Sequence, residues 1–391
     1  MKFERNNQEL KIFLTDRIDA SNSASIDEEI FSIINSQEKP FSLILDAENL
    51  DYISSAGLRV ILKVKRACND LKIVEVKREV FDIFEMTGFS QMIDIEKEFR
   101  KLDVSNCTII GKGAKGNVYR YDAETIVKVY NDSKLEDIQK ERNLARLAFV
   151  SGVPSAIAYD TVKVGDKYGS VFELLNAKPM TKCLQENLDK LEEYAKVFAD
   201  IIRKVHDRQI DTKDLQNAKD FFNKKAQMAL NDLDDDNRNK IQSLLDGIED
   251  STNIVHGDYH PSNIMMQEEE PLLIDMDTLS YGNRVYDLLN TYVCLKGFGQ
   301  VDRRMTEEFL NIPYEKSSEF FDYFLKYYLG TDDKEIIKKE DEKIKLLAFL
   351  RIYYHYKRRK KNEDDYKEQL EFLLNEIKAL ASRVNNCNIG K

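Results

Sequence analysis

The sequence predicts an α/β protein in two parts: a small α/β domain over residues 1–100, then a larger unit over residues 105–385 with a β lobe followed by a mainly helical lobe. Three observations predict it. Short apolar runs alternate with helix-spaced apolar residues as far as about residue 100. Hairpin-like strands then flank a glycine-rich loop from Cys107. Beyond residue 184 the helical period dominates, apart from one polar motif.

Taken in order, residues 10–14 read as a strand, and 23–34 carry Ile26, Ile30, Phe31 and Ile34 at helical spacing. Residues 41–45 form a buried strand, 58–67 a helix with Val60, Ile61 and Val64 inward, and 71–74 another strand. This alternation implies a sheet with helices on one or both faces. In the second part, strands are expected at 107–110, 117–121 and 125–130, a helix from 134 to about 150, and a strand at 171–175. Helices follow at 184–207, 212–232 and 238–248, and throughout 306–384. A small β lobe before a large helical one is the outline of a kinase-like fold.

Composition narrows the function classes. The 391 residues carry a net charge of −11, which argues against a general nucleic-acid binder but allows a cationic substrate in an acidic pocket. Cys68, Cys107, Cys183, Cys294 and Cys387 are scattered without a C-x-x-C pair, which predicts reduced thiols rather than a disulfide framework or zinc site. The first residues lack an apolar signal core, and no stretch is long and apolar enough to span a bilayer. The expectation is a cytoplasmic protein with no membrane partner.

The chemistry concentrates in Ile254-Val255-His256-Gly257-Asp258-Tyr259-His260-Pro261-Ser262-Asn263 and in Leu273-Ile274-Asp275-Met276-Asp277. Phosphoryl transfer is mostly positioning plus charge neutralisation. Here Asp258 is a candidate base, and Asn263 and Asp275 are oxygen donors suited to magnesium. The plainer alternative is a polar turn between buried strands, with Asp258 and Asn263 as caps. Upstream, Gly111-Lys112-Gly113-Ala114-Lys115-Gly116-Asn117-Val118 matches G-x-G-x-x-G-x-V. A dinucleotide loop would lead into a helix, whereas Val118 to Tyr121 alternates as a strand, which favours a loop folded over nucleotide phosphates through Gly111, Gly113 and Gly116. Lys128, between Val127 and Val129, is the strand lysine expected to reach the phosphates. Glu141 is its expected ion-pair partner, with Glu136 as second choice.

The run His256-Gly257-Asp258-Tyr259-His260-Pro261-Ser262-Asn263 resembles the aminoglycoside phosphotransferase and choline kinase-like family, over about residues 105–380. Protein kinases typically have arginine at Gly257 and D-F-G where this chain has Asp275-Met276-Asp277, and no A-P-E motif is found. The resemblance implies an ATP- and Mg2+-dependent transferase, with GTP not distinguished from ATP. It makes Asp258 the base and Asn263 and Asp275 the metal ligands, while Asp277 either assists the metal or caps a turn. It makes Asp287 the residue that orients the catalytic loop, and Glu173 to Leu175 a hinge whose backbone binds adenine. His206 and His355 read as packing, and 357–361 as a solvated basic helix face.

Near the N-terminus, Asp51-Tyr52-Ile53-Ser54-Ser55-Ala56-Gly57-Leu58, with Met86-Thr87-Gly88-Phe89, resembles the STAS domain family of the anti-sigma factor antagonist type. The resemblance implies a protein-interaction or dimerisation module with Ser55 as the phosphorylated serine, although Ser54 stands where that family usually has aspartate. A phosphate there would meet helix N-terminal N–H groups; the alternative is that Ser54 or Ser55 is simply a helix cap. The leading expectation is therefore a kinase for a small hydroxylated molecule joined to a STAS-like regulatory module. The alternatives are a protein kinase acting on a STAS serine and a non-catalytic nucleotide-binding scaffold. Fold resemblance alone gives no antibiotic-modifying activity.

Overall fold

The structure, a computed structural model, describes residues 1–6, 9–38, 41–113, 115–213, 215–267, 270–362 and 364–390. Ala114 of the glycine loop lies outside them. The chain divides into two compact units, Met1–Asp103 and Val104–Lys391.

In the first unit the strands run in the order Phe3–Asn6, Glu9–Phe13, Ser42–Asp46, Leu71–Val76, Asp94–Lys97, with only the first pair antiparallel. Register places Leu10 beside Leu43 and Leu43 beside Leu71, with Ile12, Leu45 and Ile73 in the next row. All six are buried, while Lys11, Ile44 and Lys72 between them are half-buried. Because side chains alternate across a strand, this puts the core on one face. Ile30, Ile61, Val64, Val80 and Phe84 from the helices Ser23–Asn35, Ser55–Ala67 and Arg78–Met86 complete it.

The second unit opens with an antiparallel sheet in the spatial order Ala158–Val164, Lys167–Glu173, Thr125–Tyr130, Gly116–Arg120, Thr108–Lys112, accompanied by the helix Leu135–Val150. A helical lobe follows. Its centre is aromatic, with Phe198 stacked on Tyr259 at 4.2 Å and edge-on to Phe324 at 4.9 Å. Two short antiparallel pairs lie within this lobe, Ile254–Val255 with Ser280–Tyr281 and Ile264–Met266 with Leu272–Leu273.

Several expected elements are corrected, each by a local breaker. The stretch 184–207 is two helices, Met180–Glu186 and Leu191–His206, since the Asn187 side chain donates to the Cys183 carbonyl and ends the first. The helix expected from 212 starts at Ala218: Gln216–Asn217 pairs as a strand, and the Asn217 side chain caps the helix N–H groups. The stretch 306–384 is four helices, Arg303–Leu310, Tyr314–Leu329, Lys334–Arg359 and Lys367–Arg383. Asn311 and Gly330, both left-handed, end the first two, and Asp333 caps the third. The strand at 171–175 is Lys167–Glu173, one arm of a hairpin whose other arm, Ala158–Val164, was not predicted. The helix Arg78–Met86 and the edge strand Phe3–Asn6 were also not predicted. None of the five cysteines forms a disulfide. Among the described residues no helix is long and apolar enough to cross a membrane.

Candidate active site

The site is organised from beneath by a buried carboxylate. Asp287, in the first turn of the helix Val285–Tyr292, accepts from the His256 N–H at 2.8 Å and the Gly257 N–H at 2.7 Å. His206 Nε2 lies 3.0 Å from the same carboxylate, and its Nδ1 lies 2.8 Å from the Tyr328 hydroxyl. The Asn290 amide donates to the Gly257 carbonyl at 2.9 Å, and Thr278 Oγ1 donates to the His256 carbonyl at 2.8 Å. Gly257 has φ +85°, and a Cβ there would meet the Thr278 carbonyl oxygen at 2.6 Å, so the turn both needs and admits only glycine. Side chains thus pair the backbone groups of a short irregular loop that has no ladder of its own.

This turn presents Asp258. Its carboxylate lies 3.4 Å from His260 Nε2 and accepts from the Asn263 amide at 3.4 Å. Burial favours the protonated acid, but His260, His256 and Asn263 outweigh it and hold the pKa below the ordinary carboxylate value. Asp258 is therefore ionised at neutral pH. Asn263 Nδ2 donates to the Asp258 carbonyl at 2.9 Å, which fixes the amide's orientation and leaves Oδ1 for a cation. The Ile274 N–H donates to the Asn263 carbonyl at 3.0 Å and ties this segment to the one carrying Asp275. Asp275 has φ +62°, a strained conformation for a non-glycine residue.

Facing these is the β lobe. Lys128 Nζ lies 2.6 Å from Glu141 Oε1 and 3.4 Å from Asp275 Oδ1. Burial opposes the ammonium, yet Asp275 and Glu141 together raise its pKa. Glu141 is buried, whereas Glu136, the second choice, is exposed. Gly116 sits against the lysine strand so closely that a Cβ would meet the Val129 carbonyl oxygen at 2.1 Å. The loop closes with the Gly113 N–H donating to the Gly116 carbonyl at 2.9 Å, while Gly111 pairs with Val118. Lys115, at the loop tip, forms an ion pair with Asp277. The Glu173 carboxylate accepts from the Ile157 N–H at 2.7 Å, and the Glu173 and Leu174 N–H groups donate to the carbonyls of Ile157 at 3.1 Å and Glu124 at 2.7 Å.

A cavity of about 490 Å³ reaches Asp258, Asp275, Asp277 and Lys115, but not Gly111, Gly113, Glu173 or Leu175. Among the described residues no three His, Cys, Asp or Glu side chains gather to hold a metal alone. Asn263 and Asp275 carry oxygen donors of the kind that magnesium takes together with phosphate and water. Ser55 belongs to the other unit. It is the exposed first residue of the helix Ser55–Ala67, while Ser54 Oγ accepts from the Ala56 N–H at 3.2 Å and is the cap.

Sequence reasoning read His206 as packing and did not select Asn290, Thr278 or Lys115. Lys115 fills a variable position of the glycine motif, and Asn290 and Thr278 stand in no motif. Only His206, at a helix end, carried a signal: a buried histidine needs a partner.

A sequence model of the phosphotransferase enzyme family matches residues 106–335, and one of the STAS domain matches residues 1–102. BtrV of Bordetella bronchiseptica, named as an anti-sigma factor antagonist, is 32% identical over 82 residues, covering 20% of this chain and 69% of its own length. A bifunctional tRNA threonylcarbamoyladenosine biosynthesis protein of Methanosphaera stadtmanae is 37% identical over 91 residues, 23% of this chain but only 14% of that protein. The ADP-bound aminoglycoside phosphotransferase APH(2'')-Ib overlays with a TM-score of 0.48 at 17% identity, covering 77% of this chain and 98% of that one.

Proposed function

The chain belongs to the phosphotransferase enzyme family, and we propose that it transfers the γ-phosphoryl group of magnesium-bound ATP to a hydroxyl of a small molecule, under a STAS-type regulatory or interaction module. In this reading residues 105–385 are the catalytic domain and residues 1–100 the module. The observation that carries it is the convergence on Lys128: its ammonium lies 2.6 Å from Glu141, 13 residues on, and 3.4 Å from Asp275, 147 residues on.

The magnesium nucleotide, when bound, supplies the phosphoryl group and spreads its negative charge. The protein's residues do the rest. Gly111, Gly113 and Gly116 let backbone approach the phosphates, and Lys128 neutralises them while Glu141 holds it in place. Asn263 and Asp275 offer the metal its two protein oxygens. Asp258, kept ionised, accepts a hydrogen bond from the acceptor hydroxyl and takes its proton as the new O–P bond forms. The free thiols suit a reducing, cytoplasmic setting.

For the N-terminal module, the exposure of Ser55 and the engagement of Ser54 as the cap favour Ser55 as a phosphoacceptor. That observation also supports a second reading, in which the chain phosphorylates a STAS serine. Transfer from γ-labelled ATP decides between them. Label entering a small-molecule acceptor, reduced roughly 10²–10⁴-fold in Asp258→Asn, supports the first. Label on Ser55, absent in Ser55→Ala, replaces it with the second. Nucleotide binding without transfer to either leaves the scaffold reading.

A further inference from the structure

A second cavity, of about 270 Å³, adjoins the one that reaches Asp258, and Phe221, Lys225 and Arg351 line both. Tyr354, His355, Arg358 and Arg359 complete its wall. Arg351, His355, Arg358 and Arg359 recur at i, i+4, i+7 and i+8 on the helix Lys334–Arg359, which places them on one face. Lys225 projects from the helix Ala218–Asn231, with its ammonium 3.4 Å from the Phe221 ring centroid. The basic run that sequence alone read as a solvated face is thus split. Lys357 pairs with Asp232, while Arg358 and Arg359 line the cavity.

Among the described residues, Lys225, Arg351, Arg358 and Arg359 make no ion pair with a carboxylate, and the smaller cavity has no acidic side chain in its wall. Burial first, then Arg351 and Arg358, pushes the Lys225 pKa down to about 7, and burial with Arg359, Arg351 and Arg358 pushes His355 down to about 4. His355 Nε2 is buried without a hydrogen-bond partner. Lys225 and Arg351 are half-buried while Arg358 and Arg359 are exposed at the rim; like charges so gathered repel one another, and an anion seated among them relieves the repulsion and supplies acceptors. The carboxylates, Asp258, Asp275 and Asp277, all lie in the larger cavity at the reacting end. Arg351 joins the two regions.

We infer that the acceptor is a small hydroxylated anion whose phosphate or carboxylate group seats among Lys225, Arg351, Arg358 and Arg359 while its free hydroxyl faces Asp258. This rests on the phosphotransferase reading above and names the substrate class of that site. The hydroxyl oxygen bonds to the γ-phosphorus of the nucleoside triphosphate, and the β,γ-bridging P–O bond breaks. The nucleoside diphosphate leaves and the hydroxyl proton passes to Asp258. A polyamine or quaternary-ammonium acceptor would place its cation against the three arginines and is selected against.

The test is calorimetric binding to the full chain without nucleotide, using glycerol 3-phosphate, glycerate, neutral glycerol and choline as probes. Wild type, Arg358→Gln/Arg359→Gln and Lys128→Ala are compared. The expected result is binding of at least one of the two anions, with neither glycerol nor choline bound. The dissociation constant rises at least tenfold in the arginine variant and stays within about twofold in Lys128→Ala. Comparing the two anions separates a phosphate pocket from a carboxylate pocket. Binding of no anion, binding of choline in preference, or loss only in Lys128→Ala overturns the inference. Magnesium-ATP binding, titrated on the same samples, reports separately on the phosphotransferase reading, so the two can fail independently.

Discussion

Replacing Asp287 with alanine should destabilise the second unit severely, without touching any residue assigned to nucleotide or acceptor. The wild-type carboxylate is fully buried and accepts two backbone N–H groups, from His256 at 2.8 Å and Gly257 at 2.7 Å, with His206 Nε2 at 3.0 Å beside it. Alanine leaves the buried His256 amide and the part-buried Gly257 amide unpaired. Each such orphan costs about 1–3 kcal/mol, so the pair costs roughly 2–6 kcal/mol. Asp287→Asn keeps one acceptor oxygen and should lose about half as much. Asn290→Ala removes a single bond to the Gly257 carbonyl and should lose about 1 kcal/mol. Because the chain has two compact units, no single two-state free energy describes it. Urea unfolding should therefore be followed by the transition that Asp287→Ala displaces. A loss below about 1 kcal/mol in that variant would refute the claim that Asp287 holds the catalytic loop.

Other outcomes follow from the same geometry. In the N-terminal unit, Ser54→Ala should cost about 1 kcal/mol as a lost helix cap, while Ser55→Ala, at an exposed position, should stay within about 0.5 kcal/mol by thermal unfolding. Acid should weaken the second unit in two steps. Burial holds the folded pKa of His256 below its ordinary 6.5, so below about pH 6.5 the unfolded chain takes a proton that the folded one refuses, and stability falls. Asp258 has a depressed folded pKa, so its contribution is full above its ordinary 3.8 and is lost as pH falls through the lower folded value. Melting temperature followed from pH 8 to pH 3 should show the first decline, and His256→Gln should flatten it. Lys128→Met should abolish the roughly 2.7 kcal/mol of stabilisation expected from nucleotide at a hundredfold its dissociation constant, measured by thermal shift.

The parts legible in the sequence were those whose chemistry is local. The G-x-G-x-x-G-x-V hairpin, the lysine between apolar strand neighbours and the H-G-D-x-H-x-x-N run each announce themselves within ten residues, because each is one turn with fixed backbone needs. Glu141 could be chosen over Glu136 only as a preference, since one-dimensional spacing does not say which side of a helix faces Lys128; the fold buries one and exposes the other. His206 and Asn290 could not be read as supports of the catalytic loop, because their partners lie 81 and 33 residues away. The basic residues 357–361 looked like a solvated face because helical periodicity carries no information about the neighbouring helix. Packing against Ala218–Asn231 turns part of that face into a cavity wall. Helix boundaries failed where a side chain competed with the backbone, as at Asn187 and Asn217.

The most direct test of the central claim is thermal unfolding of the full chain with ATP, and separately GTP, each with and without magnesium, on wild type and Asp275→Ala. A metal-nucleotide site made by Lys128, Asn263 and Asp275 predicts a magnesium-dependent rise in the second unit's transition that Asp275→Ala abolishes. Folded wild-type protein whose transition stays put with every nucleotide and metal combination, or a rise that survives Asp275→Ala undiminished, would contradict it.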